Sequence, residues 1–203
     1  PEMKPETLDR RVRRTRKLLR ECLIALLKTK KVQDITVREL TERADLNRGT
    51  FYLHYKDVFD LLEKTEEDLQ EDFNRVLSRH QPVDLTRQPY AIFQDIYTLV
   101  YENSDLIEIL LGENGDLKFV THLKNLIREK CLKDWIEIYR SGNPASFDAF
   151  SSFIVSGCVG LAEYWIKNGL KETPEQMARL AEQIITKGMG VLQLDPYESC
   201  VVG

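Results

Sequence analysis

The residues best suited to chemistry with another molecule lie in one stretch, ITVRELTERADLNRGTFYLHYKDVFDLL, residues 35–62. Asn47, Arg48, Gly49, Thr50, Tyr52, Leu53 and His54 run through its centre with no acid among them. Short polar groups and a flat aromatic can reach base edges and phosphates inside a major groove about 12 Å wide. Gly49 weakens a helix, a cost that a close approach to another backbone would explain. Upstream, Arg10, Arg11, Arg13, Arg14, Arg16, Lys17 and Arg20 form a cationic cluster. Residues 1–55 hold 14 Lys and Arg against 8 Asp and Glu, a net +6, and residues 56–203 hold 15 against 25, a net −10. A basic head can meet a polyanion that the acidic body would repel. A solvated helix face carries charge in the same way, and for Arg10 and Arg11 both readings stand.

Signals for other chemistry are poor. There is no Gly-x-Ser-x-Gly, no phosphate-binding Gly-rich loop and no metal-ligand spacing among His54, His80, His122 and the cysteines. The pairs Glu66-Glu67 and Glu71-Asp72 fit a solvated helix face. No enzyme, cofactor or metal is expected. Cys22, Cys131, Cys158 and Cys200 form no Cys-x-x-Cys pair, which suits reduced thiols and a cytoplasmic setting. The longest uncharged apolar-leaning run, residues 149–162, is 14 residues where a bilayer needs roughly 20, so no spanning helix and no membrane partner are expected. The N-terminal residues show no apolar signal core. With 42% hydrophobic and 31% charged residues the composition is that of a folded chain.

The elements that must position the groove-suited residues read as helices, because apolar residues recur with a period near 3.6 almost throughout. Helices are expected at about 9–29, 37–44, 48–55, 57–80, 90–101, 104–111, 116–139, 146–168 and 173–192. Thr36-Val37-Arg38-Glu39 fits a capping box. Asp45 breaks the second helix and tolerates the left-handed turn conformation. Asn47 is an N-cap for the third. Gly169 looks like a C′ residue, and Thr173-Pro174-Glu175-Gln176 supplies an N-cap, an N1 proline and an N3 glutamine. Two short helices and a tight turn make a helix-turn-helix. Val37, Leu40, Ala44, Leu46 and Phe51 are spaced to form its core. Phe51 and Tyr55 take the inward positions, which leaves Tyr52 outside. The fold class is all-α with about nine helices: a three-helix head at 1–56 and a helical body at 57–203.

With its Ile35-Thr36-Val37 helix start, its Arg48-Gly49-Thr50-Phe51-Tyr52 core and its Leu61-Leu62 pair, the segment over residues 9–62 resembles the TetR family of transcriptional regulators. Beyond residue 62 the resemblance is in helix count and a Gly157…Gly160…Trp165 pattern. That pattern looks like a subgroup that includes regulators of small-metabolite operons in Gram-positive bacteria. The resemblance implies a homodimer that binds double-stranded operator DNA, most simply as a repressor released by a small-molecule effector. Thr36 and Arg38 would meet phosphates, Arg48, Gly49, Thr50 and Tyr52 bases or nearby backbone, and His54 and Lys56 the flanking backbone. Two departures stand out. Where the family often has a phosphate-binding lysine this chain has Val58, and where its turn usually carries glycine this chain has Asp45. His54 as an ordinary surface histidine stays open.

The same resemblance implies an effector pocket in the body, for which Phe73, Phe93, Tyr97, Leu110, His122 and Trp135 are the candidate lining; a plain aromatic core is the alternative. The acidic body favours neutral or cationic molecules. Ile154, Gly157, Leu161 and Trp165 on one helix, with Leu180 and Ile184 on the last, are expected at a four-helix dimer interface. The alternative is packing within one subunit. Two other functions remain open on sequence: an adaptor whose body recruits a partner protein, and a ligand-binding module whose head has lost DNA affinity.

Overall fold

The computed structural model describes residues 5–80, 89–112, 115, 117–132 and 144–188. Among them the 3.6 periodicity resolves into nine α-helices. These are α1 Pro5–Leu27, α2 Val37–Arg43, α3 Arg48–Tyr52, α4 Val58–Leu77, α5 Pro89–Glu102, α6 Ser104–Leu111, α7 Leu117–Ile127, α8 Pro144–Lys167 and α9 Pro174–Lys187. A single 3₁₀ turn, Val32–Asp34, precedes α2, and a π-helical turn, Arg128–Leu132, follows α7. The backbone groups into two compact units. One comprises Pro1–Glu71 and Gly112–Gly115, the other Asp72–Leu111 and Asp116–Gly203, so the division falls inside α4.

In the first unit the inward stripe of α1, Leu19, Cys22, Leu23 and Leu26, packs with Ile35, Leu40, Ala44, Phe51, Tyr55, Val58 and Leu61. Each full burial of such a side chain contributes roughly 1.5–3 kcal/mol. Leu19, Leu23, Leu40, Phe51 and Leu61 have no exposed surface at all.

In the second unit α5 lies along α9. Met177, Ala178 and Ala181 turn inward from α9, and the Arg179 guanidinium sits 5.0 Å over the Tyr90 ring. Leu77, Ile92 and Val155 form a further buried cluster backed by Ile96, Leu126 and Ile127. His80 Nε2 lies 2.9 Å from Asp95 Oδ2, tying the residues after α4 to α5. α9 opens with a complete capping box: the Thr173 hydroxyl accepts from the Gln176 amide, the Gln176 side chain accepts from the Thr173 amide, and Pro174 takes the first helical position. α8 closes with Gly169 at φ +80°, whose amide and that of Leu170 donate back to Ile166 and Trp165, a Schellman closure.

Three expectations change. α3 ends at Tyr52, because the amides of His54 and Tyr55 both turn back to the Phe51 carbonyl. The helix expected at 116–139 gives way to the π-turn at Arg128, and its remainder lies outside the described residues. The uncharged-run criterion also understated α8: Asp148–Lys167 spans 20 residues with a mean hydropathy of 1.3, long and apolar enough by composition to cross a bilayer. An apolar helix that buries one side and offers the other to a protein partner passes the same test.

Candidate nucleic-acid interface

The head is built to hold α3 rigidly outward. Thr36 starts α2, its hydroxyl accepting from the Glu39 amide at 3.2 Å. The second half of the expected capping box is replaced: the Glu39 carboxylate takes Lys30 Nζ at 2.6 Å instead. α2 then ends in a Schellman closure, with the Asp45 amide donating to Glu42 and the Leu46 amide to Thr41. Asp45 occupies the left-handed position at φ +51°, where glycine is the usual residue because it has no Cβ to clash.

Asn47 caps α3. Its Oδ1 accepts from the Thr50 amide at 2.7 Å and from the Thr50 hydroxyl at 3.0 Å. A Cβ on Gly49 would stand 3.3 Å from that oxygen. The glycine therefore protects the cap, a structural reason beside the close approach to another backbone. Phe51 anchors the inner side, edge-on to Tyr52 with ring centroids 5.5 Å apart. Outside, Tyr52 is 58% and Leu53 81% exposed. Arg48, Gly49 and Lys56 are exposed, while Thr50 and His54 are half-buried.

The flanks are fixed by charge. Tyr55 is buried with the Arg16 guanidinium 5.9 Å and Lys64 Nζ 5.3 Å from its ring centre, and Arg16 Nε donates to its hydroxyl at 3.4 Å. Sequence reasoning grouped Arg16 with the phosphate-seeking arginines; the structure engages it in clamping α1 to the end of α3. Arg38 Nε sits 2.6 Å from Glu42 on the exposed side of α2. Burial, and then the nearby Arg16 charge, push the His54 imidazole below its usual range. The Lys56 amide, with smaller help from Lys64 and the Lys56 side chain, holds Asp60 below the usual carboxylate range. Val58 is a core residue, 5% exposed, so the position where the family often carries lysine does not face outward here.

The second unit contains a cavity, with about 90 Å³ open to the centre of a water-sized sphere. Phe73, Phe93 and Tyr97 line it; Leu110 is buried elsewhere and His122 is exposed on α7. His122 falls outside because the buried side of α7 is set by Phe119 and Leu123. Trp135 lies outside the described residues. Among the lining residues that sequence reasoning missed are Ile92, Ile96, Val155, Cys158, Val159 and Ile185. The signal for the first two was present, since Pro89, Ile92, Phe93, Ile96, Tyr97 and Val100 repeat at helical spacing along α5.

On α8 the exposed stripe runs through Ala149, Phe153, Ser156, Gly157, Gly160 and Tyr164, with Phe153 75% exposed. A Cβ added at Gly157 or Gly160 would meet nothing within 4 Å. Trp165, expected on this face, is instead fully buried: its indole donates to the Glu172 carbonyl at 3.1 Å and its ring meets Tyr97 at 5.6 Å. Trp165 falls three residues beyond buried Ala162 and ten beyond buried Val155, so it belongs to the inward side of the helix. Ile154 is half-buried and also lines the cavity, Leu161 and Leu180 are half-buried, and Ile184 is 39% exposed.

Residues 87–187 match the family described as "Transcriptional regulator C-terminal region". An uncharacterized HTH-type transcriptional regulator of Bacillus subtilis (strain 168), YxbF, is 22% identical over 173 residues, 83% of this chain and 44% of YxbF. The chain belongs to the TetR family of transcriptional regulators. A crystal structure of a TetR transcriptional regulator from Streptococcus agalactiae 2603V shares the fold, with TM-score 0.60 and 22% identity over 90% of this chain and 99% of that one. The nucleoid occlusion factor SlmA of Shewanella pealeana is 26% identical over 132 residues, 56% of this chain and 66% of SlmA. This TetR-family chain thus spans under half of YxbF and about two thirds of SlmA.

Proposed function

We propose that this TetR-type regulator binds operator DNA as a homodimer, acts as a repressor, and lets go when a small molecule occupies the cavity of the second unit. The observation that carries the reading is α3: a capped helix held on a fully buried Phe51, presenting Arg48, Gly49 and Tyr52 outward. The N-terminal residues of such a helix reach base edges while neighbouring groups grip phosphates. Thr36, Arg38, Thr50, His54 and Lys56 are the neighbouring groups. Two half-sites need two heads at fixed spacing, and the small-residue stripe of α8, with Ile184 on α9, supplies an apolar face for a second copy. Residues 1–56 form the DNA-binding domain and 57–203 the effector and dimerisation domain, with α4 contributing residues to both compact units. A molecule that fits one arrangement of the body better shifts the population of heads set for DNA. Such a protein works in the cytoplasm, with no catalytic step. Nothing in the fold or the relatives favours the adaptor reading.

The test is to map genomic sites bound by the purified chain and footprint the strongest. The expected result is protection of a two-fold site, lost with Tyr52→Ala while helix content and dimer mass stay unchanged. No protected site, or a Tyr52→Ala protein that binds normally, would refute the assignment of α3 to the groove.

A further inference from the structure

We infer that the cavity takes an uncharged, mainly apolar molecule whose single hydrogen-bond-accepting oxygen is met by the Tyr97 hydroxyl. The inference rests on reading the cavity as the effector site and adds the chemical class of the effector. Among the described residues the lining holds no Asp, Glu, Lys, Arg or His, and Tyr97 and Cys158 supply its only polar side-chain atoms. A carboxylate or an ammonium would enter with no counter-charge and lose its water, a cost that apolar walls cannot offset. The net negative body left room for cations, and the lining removes that room.

Tyr97 is 2% exposed, yet its hydroxyl forms no hydrogen bond among the described residues. The hydroxyl is not one of the fully enclosed partnerless side-chain atoms, which among the described residues are Asn74 Oδ1, Ser151 Oγ and Glu172 Oε2, so it keeps contact with the open space that Tyr97 lines. An acceptor oxygen on the ligand would give that hydroxyl a partner, which is a reason for the site to prefer an alcohol, ketone or ether over a pure hydrocarbon. The surroundings show their low polarity in a second way. Burial pushes the Cys158 thiol up to about 11, and burial followed by the neighbouring Cys158 pushes the Tyr97 phenol well above its usual value. The phenol therefore stays a donor at any physiological pH. The ring itself is held by edge-on contact with Trp165, which fixes where the donor sits. About 90 Å³ of room is well above the roughly 10–15 Å³ that a single water requires, so the cavity has space for a small organic molecule.

The experiment is calorimetric titration of the full chain with 1-octanol, octanoate, octylammonium and toluene at pH 7. The expected result is binding of 1-octanol, with both ions weaker by at least about 100-fold. Tyr97→Phe keeps the ring and is expected to weaken 1-octanol by about three- to tenfold while leaving toluene unchanged. Val159→Phe, which fills the cavity, is expected to abolish both. Octanoate or octylammonium binding as tightly as 1-octanol to the wild-type chain would overturn the inference and leave the effector site standing. An equal response of Tyr97→Phe and wild type to 1-octanol would overturn the hydrogen bond. No binding of any probe to the wild-type chain would overturn the effector-site reading itself, and this inference with it.

Discussion

Asn47 has two jobs that one pair of substitutions can separate. Its Oδ1 closes the first turn of a five-residue helix by accepting from both the Thr50 amide and the Thr50 hydroxyl. Asn47→Ala removes the acceptor, and losing an N-cap costs about 0.5–2 kcal/mol. Asn47→Asp keeps the acceptor and adds a negative charge that the helix N-terminus favours, so the stability of the head is expected to stay at or slightly above wild type. On DNA the same charge acts in the opposite direction. If α3 enters the groove, a carboxylate at its N-terminus faces phosphates, and two like charges about 4 Å apart repel by about 1 kcal/mol even in bulk water. That is about fivefold in affinity per subunit and about 30-fold for a two-headed complex. The assay is urea unfolding for stability, beside fluorescence anisotropy with a labelled operator duplex at two salt concentrations. Asn47→Asp should be stable and bind poorly, with the deficit shrinking at the higher salt. An Asn47→Asp protein that binds DNA as wild type does would show that the N-terminus of α3 is not at the phosphates.

Further outcomes follow from the same geometry. Asp45→Gly should stabilise the head by about 0.5–1 kcal/mol in chemical denaturation, since glycine relieves the left-handed strain, and should tighten DNA binding by removing a carboxylate; a destabilised variant would contradict the turn geometry. Phe51→Ala should cost about 3–5 kcal/mol, enough to lose the head's cooperative unfolding transition. Gly157→Arg should leave the monomer folded, because nothing lies within 4 Å of an added Cβ, but sediment at half the wild-type mass. Peptide-resolved alkylation of Cys158 should be very slow at pH 8 and rise toward pH 11, as a thiol pushed up to about 11 requires.

What was legible in the sequence had a strong local cause. The helix starts at Thr36, Asn47 and Thr173 were readable because a hydroxyl or amide N-cap acts within three residues. The break at Asp45 was readable because few residues tolerate positive φ. What was not legible depended on partners distant in sequence. Glu39 was assigned to its own cap, and only the fold brings Lys30 to it. Trp165 was placed on the outer face of α8 because apolar residues on both sides of that helix merge into one spiral in the sequence. Gly49 looked like a concession to DNA until the space beside Asn47 was visible. Val58 looked like a missing lysine, although its spacing of three and four residues from Leu61 and Leu62 carried the signal that the position faces inward.

The pairing of Lys30 with Glu39 and Lys17 with Glu21, together with the use of Arg16 against Tyr55, has a quantitative result. These cations are already engaged at home, and each one that stays there displaces no ion from the duplex. The ionic-strength exponent of association should then be shallower than a tally of fourteen basic residues implies. A larger fraction of its grip would come from shape and base-edge contact, the fraction that survives in a salty cell and distinguishes one site from the rest of a chromosome.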